Sequence, residues 1–150
     1  MSVQPGKHLA KRILILDGAM GTMIQRYNPG EEEYRGERFR DFHASLKGNN
    51  DLLVLTQPRI IQEIHEKYLE VGADIIETDT FNANRISMAD YQMESHVYEI
   101  NFEAAKLARE AADRYSRFTP DKPRWVAGSM GPTTKQLPSP PTYRILLTGQ

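Results

Sequence analysis

Three short apolar runs, at residues 13–16 (ILIL), 73–78 (ADIIET) and 125–128 (WVAG), constrain this chain most, because each ends in the same way. The first stops at Asp17-Gly18, the second turns polar through Asp79, Thr80 and Asn82, and the third runs into Ser129, Met130 and Gly131. An unbroken run of β-branched residues and leucine is the pattern of a strand covered on both faces, as parallel sheets require. Helical stripes separate the runs. Met20, Met23, Ile24 and Tyr27 form the first, and Ile61, Ile64, Tyr68 and Val71 form the second, which Pro58 opens and Gly72 closes. Ile100, Ala104, Leu107, Ala108, Ala111 and Tyr115 form the third, along residues 95–115. Strand, polar end, helix, strand is the β/α repeat, whose crossovers are right-handed and whose ligands gather at the carboxyl ends of the strands. The expected class is therefore α/β. Strands starting near 13, 74 and 125 make three units in 150 residues, whereas a closed (β/α)8 barrel takes about 250. A small open sheet and the N-terminal part of a barrel both satisfy the pattern.

Composition removes other classes. Nineteen Lys and Arg against 20 Asp and Glu leave a formal net charge of −1, without the basic excess that drives binding to a phosphate backbone, so no nucleic-acid partner is expected. The longest apolar runs fall far short of the roughly 20 residues of a membrane span, and the first, ending at Asp17, is too short for a secretory core. No membrane partner is expected, and the expected location is cytoplasmic. With no cysteine, the chain can form neither a disulfide nor a thiolate metal site. Residues 1–11 read as a disordered leader, residues 31–50 as a long surface loop, and residues 145–147 as an uncovered strand stub after a proline-rich stretch, an ending that resembles an interruption. His8, His43, His65 and His96 fall at no metal-ligand spacing and are expected to be solvated or to cap helices, and Met20, Met23, Met88, Met93 and Met130 to fill the core.

Two strand ends carry chemistry. Asp17-Gly18-Ala19-Met20-Gly21-Thr22 lies at a strand-to-helix turn, where glycines admit a ligand to amides that a helix N-terminus leaves unpaired; a purely structural turn accounts for it equally well. The segment lacks the third glycine of a dinucleotide fingerprint and the Gly-Lys-Ser/Thr of a nucleotide loop. In Glu77-Thr78-Asp79-Thr80-Phe81-Asn82, alternation puts Glu77 and Asp79 on one face and Thr78 and Thr80 on the other. Such carboxylates can hold an ammonium group, or they can cap the loop that follows.

Taken in order, ILDGAMGTMIQ (15–25), NDLLVLTQP (50–58), GADIIETDTFNAN (72–84) and WVAGSMGPTTK (125–135) closely resemble the homocysteine S-methyltransferase family, and within it the cobalamin-dependent methionine synthases. The resemblance implies the N-terminal part, about three β/α units, of a (β/α)8 TIM barrel. It makes residues 12–140 a partial homocysteine-binding domain and residues 141–150 an atypical tail. In that family homocysteine sulfur binds zinc held by three cysteine thiolates, and the thiolate takes a methyl group from methylcobalamin to give methionine. The folate- and cobalamin-binding modules lie elsewhere in the parent. Carried onto this chain, the resemblance puts Asp17 against the homocysteine ammonium and the Gly18 and Ala19 amides against its carboxylate. Glu77, Thr80 and Asn82 would line the pocket, and Met130 and Gly131 would form its third wall. No catalytic residue and no metal ligand is expected in this chain, which is expected to bind neither zinc nor methylcobalamin and to be inactive alone. The alternative is a catalytically inactive α/β module that binds an acidic metabolite or a protein.

Overall fold

The computed structural model describes residues 5–133. A single helical turn, α1 (Gly6–Leu9), precedes an extended segment at 13–16, and α2 (Met20–Tyr27) and α3 (Glu31–Arg35) follow it. A 3-10 turn (Asn50–Leu52) leads into α4 (Leu53–Thr56), and α5 (Pro58–Glu70) runs back to β1 (Ile75–Glu77). After β1 come α6 (Arg85–Met88), two 3-10 turns (Ala89–Tyr91 and Glu94–His96), the long α7 (Val97–Phe118) and β2 (Trp125–Ala127). β1 and β2 are parallel, with Ile76 opposite Val126, and on the other side of β1 Leu16 makes a single parallel bridge to Ile75. The three extended stretches are thus neighbours in chain order, as the β/α repeat predicts.

The first of them is less than the strand expected. Residues 13–16 form only that one bridge, and Ile13 and Ile15 are 83% and 55% exposed rather than covered on both faces. The cause is one-sided packing. Helices α5 and α7 cover the sheet face that carries the fully buried Ile76, while the flanking Ile75 and Glu77 and all of β2 are only half-buried. What holds the segment in place is Asp74, just before β1 and 1% exposed. Its two oxygens accept from both Arg12 guanidinium nitrogens at 2.8 and 2.7 Å, and one also accepts from the Ile15 amide at 2.9 Å. The Asp74 and Ile75 amides donate in turn to the Ile15 carbonyl.

Residues 31–50 are not a surface loop. Tyr34, Phe39 and Leu46 are buried in the main core with Ile24, Leu52, Leu53, Ile61, Ile64 and Ile100. The physical reason is a short charge network, carried on α3, that supplies partners to the irregular backbone after it. Glu31 accepts from the Leu46 and Lys47 amides, the Ser45 hydroxyl and the Arg35 guanidinium, at 2.7 to 2.9 Å. Arg35 also donates to the carbonyls of Phe42 and Ala44. Burial works against the Glu31 charge, but these donors outweigh it and hold its carboxyl at about 2.

The other helices follow their stripes, with two corrections. Helix α5 buries Ile61, Ile64 and Leu69, but it ends at Glu70, which leaves Val71 as a solvent-facing cap before Gly72 turns the chain at φ +109°. His65, expected to be solvated, is fully buried on the same helix with neither ring nitrogen partnered, and burial lowers its pKa to about 4. Helix α7 turns its alanines, Ala108, Ala111 and Ala112, toward Leu69, Ala73 and Ile76, and these small side chains form the second core layer between helix and sheet. Part of the expected disordered leader is the α1 turn, where the His8 ring stands edge-on to Trp125 at 5.2 Å. The expected stub at 145–147 lies outside the described residues. Ile64→Ala is expected to cost about 2–5 kcal/mol through loss of buried surface and the cavity left behind. Val71→Ala is expected to stay within about 0.5 kcal/mol. Denaturant unfolding of both variants tests where α5 turns its apolar face.

Candidate functional site

The parallel arrangement brings the three polar ends to one rim. Where the leading segment turns toward α2, both carboxylate oxygens of Asp17 accept from the Glu77 amide at 3.1 Å, while the Asp17 amide donates to the Ile75 carbonyl. The ends of β1 and β2 are tied by hydroxyls. Thr78 and Thr80 hydroxyls lie 2.7 Å apart, Thr80 donates to the Ser129 carbonyl at 2.8 Å, and the Ser129 amide donates back to the Thr78 hydroxyl at 3.1 Å. Beyond them the Gly131 amide donates to the Phe81 carbonyl at 2.8 Å. A Cβ at Gly131 would sit 2.6 Å from the Phe81 ring, so only glycine allows this approach.

These ends enclose a cavity of about 320 Å³, at the small end of the range for ligand pockets. Asp17, Gly18, Ala19, Glu77 and Asn82 line it, as do Asp79, Phe81 and Ser129. Thr80 does not. It is buried beneath, with its hydroxyl committed to Ser129. Met130 is neither core nor wall, because its side chain is 92% exposed; Ser129 takes the wall position, and Gly131 acts only through Phe81. Asn50 and Asp51 are the lining residues that sequence reasoning passed over. Their signal was the polar pair that heads the NDLLVLTQP block. A larger cavity of about 680 Å³ lies between α3 and the start of α5, among Glu32, Arg35, Glu37, Arg40 and Gln57. It shares no lining residue with the strand-end cavity, and both of its arginines are already ion-paired, Arg35 with Glu31 and Arg40 with Glu37.

The smaller cavity is different in kind. Asp17, Asp51, Glu77 and Asp79 all line it, and no Lys, Arg or His does. Burial raises the pKa of Asp17 to about 6 against the opposing Glu77 amide, and the nearby Glu77 carboxylate adds to the rise. Burial likewise raises Asp51 to about 6. Asp79 is pushed well above the usual carboxylate range by burial and by Asp51, and one of its oxygens has no partner. Such a surface attracts a cation or an ammonium group and repels a phosphate. Among the described residues no group of His, Asp or Glu is arranged to hold a metal ion. Nor is any helix there long and apolar enough to cross a membrane.

A parallel sheet in chain order, with an acidic cavity at its carboxyl rim, defines the chain as an α/β protein of the strand-end-site class. The family is narrower than that: the model of the homocysteine S-methyltransferases matches residues 14–147, and the chain belongs to this family. Among solved structures it is similar to the homocysteine methyltransferase MmuM from Escherichia coli. The oxidized form matches at 24% identity and a TM-score of 0.65 over 85% of this chain and 40% of that one. The metallated form matches at 23% and 0.65, over 85% and 41%. At these identities the likeness establishes the fold alone, and the chain spans about two-fifths of the MmuM length.

The charge arrangement sets a stability profile. Asp17 and Asp51 have raised folded-state pKa values, so their contribution is fully present below the unfolded value near 3.8 and is lost as pH rises through about 6, and that of Asp79, pushed well above the usual carboxylate range, is lost on the same alkaline side. Asp74 is held at about 2, chiefly by Arg12, and Glu31 also at about 2. Their contribution is present above the unfolded carboxylate range and is lost as pH falls toward 2. Denaturation midpoints should therefore peak at mildly acidic pH and decline on both sides, and the decline toward neutral pH should shrink in Asp17→Asn.

Proposed function

We propose that this chain supplies the amino-acid-binding part of a homocysteine S-methyltransferase of the cobalamin-dependent methionine synthase kind, built from about the first three units of a (β/α)8 barrel. The observation that carries the reading is the polarity of the rim cavity: carboxylates at the strand ends, and the Gly18 and Ala19 backbone at the N-terminal end of α2. A zwitterionic amino acid has the complementary polarity. Its ammonium faces Asp17 and Glu77, and its carboxylate faces the amides at the positive end of the α2 dipole. Asn82 and Ser129 then border the remainder of the ligand, and Phe81, braced by Gly131, supplies an apolar wall.

The thiol chemistry belongs elsewhere in the parent. A zinc centre of three thiolates cannot be assembled from a chain without cysteine, and the acidic cavity offers no substitute trio. The residues present bind and orient; in this reading the zinc, the methylcobalamin and the folate- and cobalamin-binding modules are met by other parts of the parent. The isolated chain is accordingly proposed to bind homocysteine weakly and to form no methionine.

Asp17→Asn tests the assignment. In a longer chain that carries the rest of the barrel, the homocysteine KM should rise by about tenfold or more, the worth of a charge-assisted bond of roughly 1.5–3 kcal/mol, with kcat little changed. The wild-type affinity should rise as pH passes upward through about 6, where Asp17 ionises. An unchanged KM in a folded variant would reduce Asp17 to a turn residue.

A further inference from the structure

We propose that Asp51 is a positioning residue for the rim cavity: its carboxylate, delivered by the turn before α4, holds the Phe81 and Asn82 backbone in the conformation that presents the cavity to its ligand. The identity of that ligand rests on the homocysteine reading above. Asp51 is 3% exposed, and it accepts from the Asn82 amide at 3.0 Å, with the Phe81 amide as a second donor to the same carboxylate. The turn that carries it is rigidly seated. The Tyr34 hydroxyl of α3 donates to the Asn50 side chain at 2.7 Å, and the next two residues, Leu52 and Leu53, are fully buried. On its other side the same backbone is gripped through the Phe81 carbonyl by the Gly131 amide. Residues 81 and 82 have no helix or strand to satisfy their amides, so the Asp51 carboxylate substitutes for the ladder that ends with β1.

The titratable groups around Asp51 are all acids: Asp79 and Tyr91 interact with it directly, Asp17 and Glu77 line the same cavity, and Asp90 lines a neighbouring recess with it. Among the described residues no Lys, Arg or His lines either recess at Asp51; protonation loosens the grip on both amides, and the rim is expected to order as Asp51 ionises.

The test is an NMR titration of the 150-residue chain from roughly pH 4.5 to 8, a span that brackets the perturbed carboxyls. It follows the Phe81 and Asn82 amides and the Asp51 carboxyl carbon in wild type, Asp51→Asn and Asp17→Asn. Homocysteine binding is measured by calorimetry on the same samples. We expect the Asn82 amide and the Asp51 carboxyl to share one midpoint in wild type and in Asp17→Asn, and the amide to stop titrating in Asp51→Asn. We also expect Asp51→Asn to weaken homocysteine binding by about tenfold. Different midpoints for amide and carboxyl in wild type would overturn the proposal even if the variant fails to fold, as would an Asn82 amide that tracks Asp17. A wild type that binds no homocysteine while its amide follows Asp51 supports the positioning role and refutes only the ligand reading.

Discussion

Everything at the rim depends on one buried carboxylate that never touches it. Asp74 sits before β1 and takes two guanidinium donors from Arg12 and the amide of Ile15, and Lys122, from the approach to β2, stands 3.8 Å from the same group. Three consecutive parts of the chain are thereby registered by a single side chain. The leading segment has one bridge and exposed side chains, too little burial to place it alone. With Asp74 as its anchor, Asp17 falls within reach of the Glu77 amide, and the cavity has its first wall.

From that registration the rest of the site follows by short steps. Parallel strands end at the same edge, so the polar residues that close each run meet without any long-range design. Thr78, Thr80 and Ser129 spend their polar groups on one another and become the brace between β1 and β2. The carboxylates that remain, Asp17, Asp51, Glu77 and Asp79, have few protein partners, and the amides of residues 77 and 82 are the main ones. An uncompensated acidic cavity destabilises a fold, and folds retain such features where ligand binding uses them.

The legible part of this structure was the part governed by periodicity. The alanine and leucine face of α7, the Pro58 start of α5 and the chain order of the extended stretches are all local patterns with a period, and the structure follows them. What was illegible depended on partners distant in sequence. Residues 36–49 carry no period because Glu31 and Arg35 of α3, rather than a helix or strand ladder, satisfy backbone groups of Phe42, Ala44, Leu46 and Lys47. His65 is polar by type but lies on the buried stripe of α5, where position outweighs chemistry. Met130 follows the third strand closely, yet a residue past the end of a strand is not bound by the alternation that would have turned it inward. Thr80 was legible as a polar strand-end residue but not as one whose hydroxyl is already committed. Asp51 was hidden by its neighbours: an acid before the apolar run Leu-Leu-Val-Leu carries no signal of its own, and only the fold brings it against the loop after β1.

The same chemical group does two jobs in this chain, and the environment separates them. Asp74 and Glu31 face guanidinium groups and amides that favour their charge, and both sit at about 2. Asp17 and Asp51 lie among other acids in a recess, and both sit at about 6. The first pair stabilises the fold because its partners are built in. The second pair is incomplete until something cationic arrives, which makes the recess a place where binding energy can be gained without rearranging the scaffold. The division holds for residues three to five positions apart in sequence: Asp74 is spent on structure, and Glu77 and the buried Asp79 just beyond the strand are left to the cavity. A substrate ammonium would complete there what Arg12 completes at Asp74, and that parallel is the physical reason to read the rim as the amino-acid end of a site.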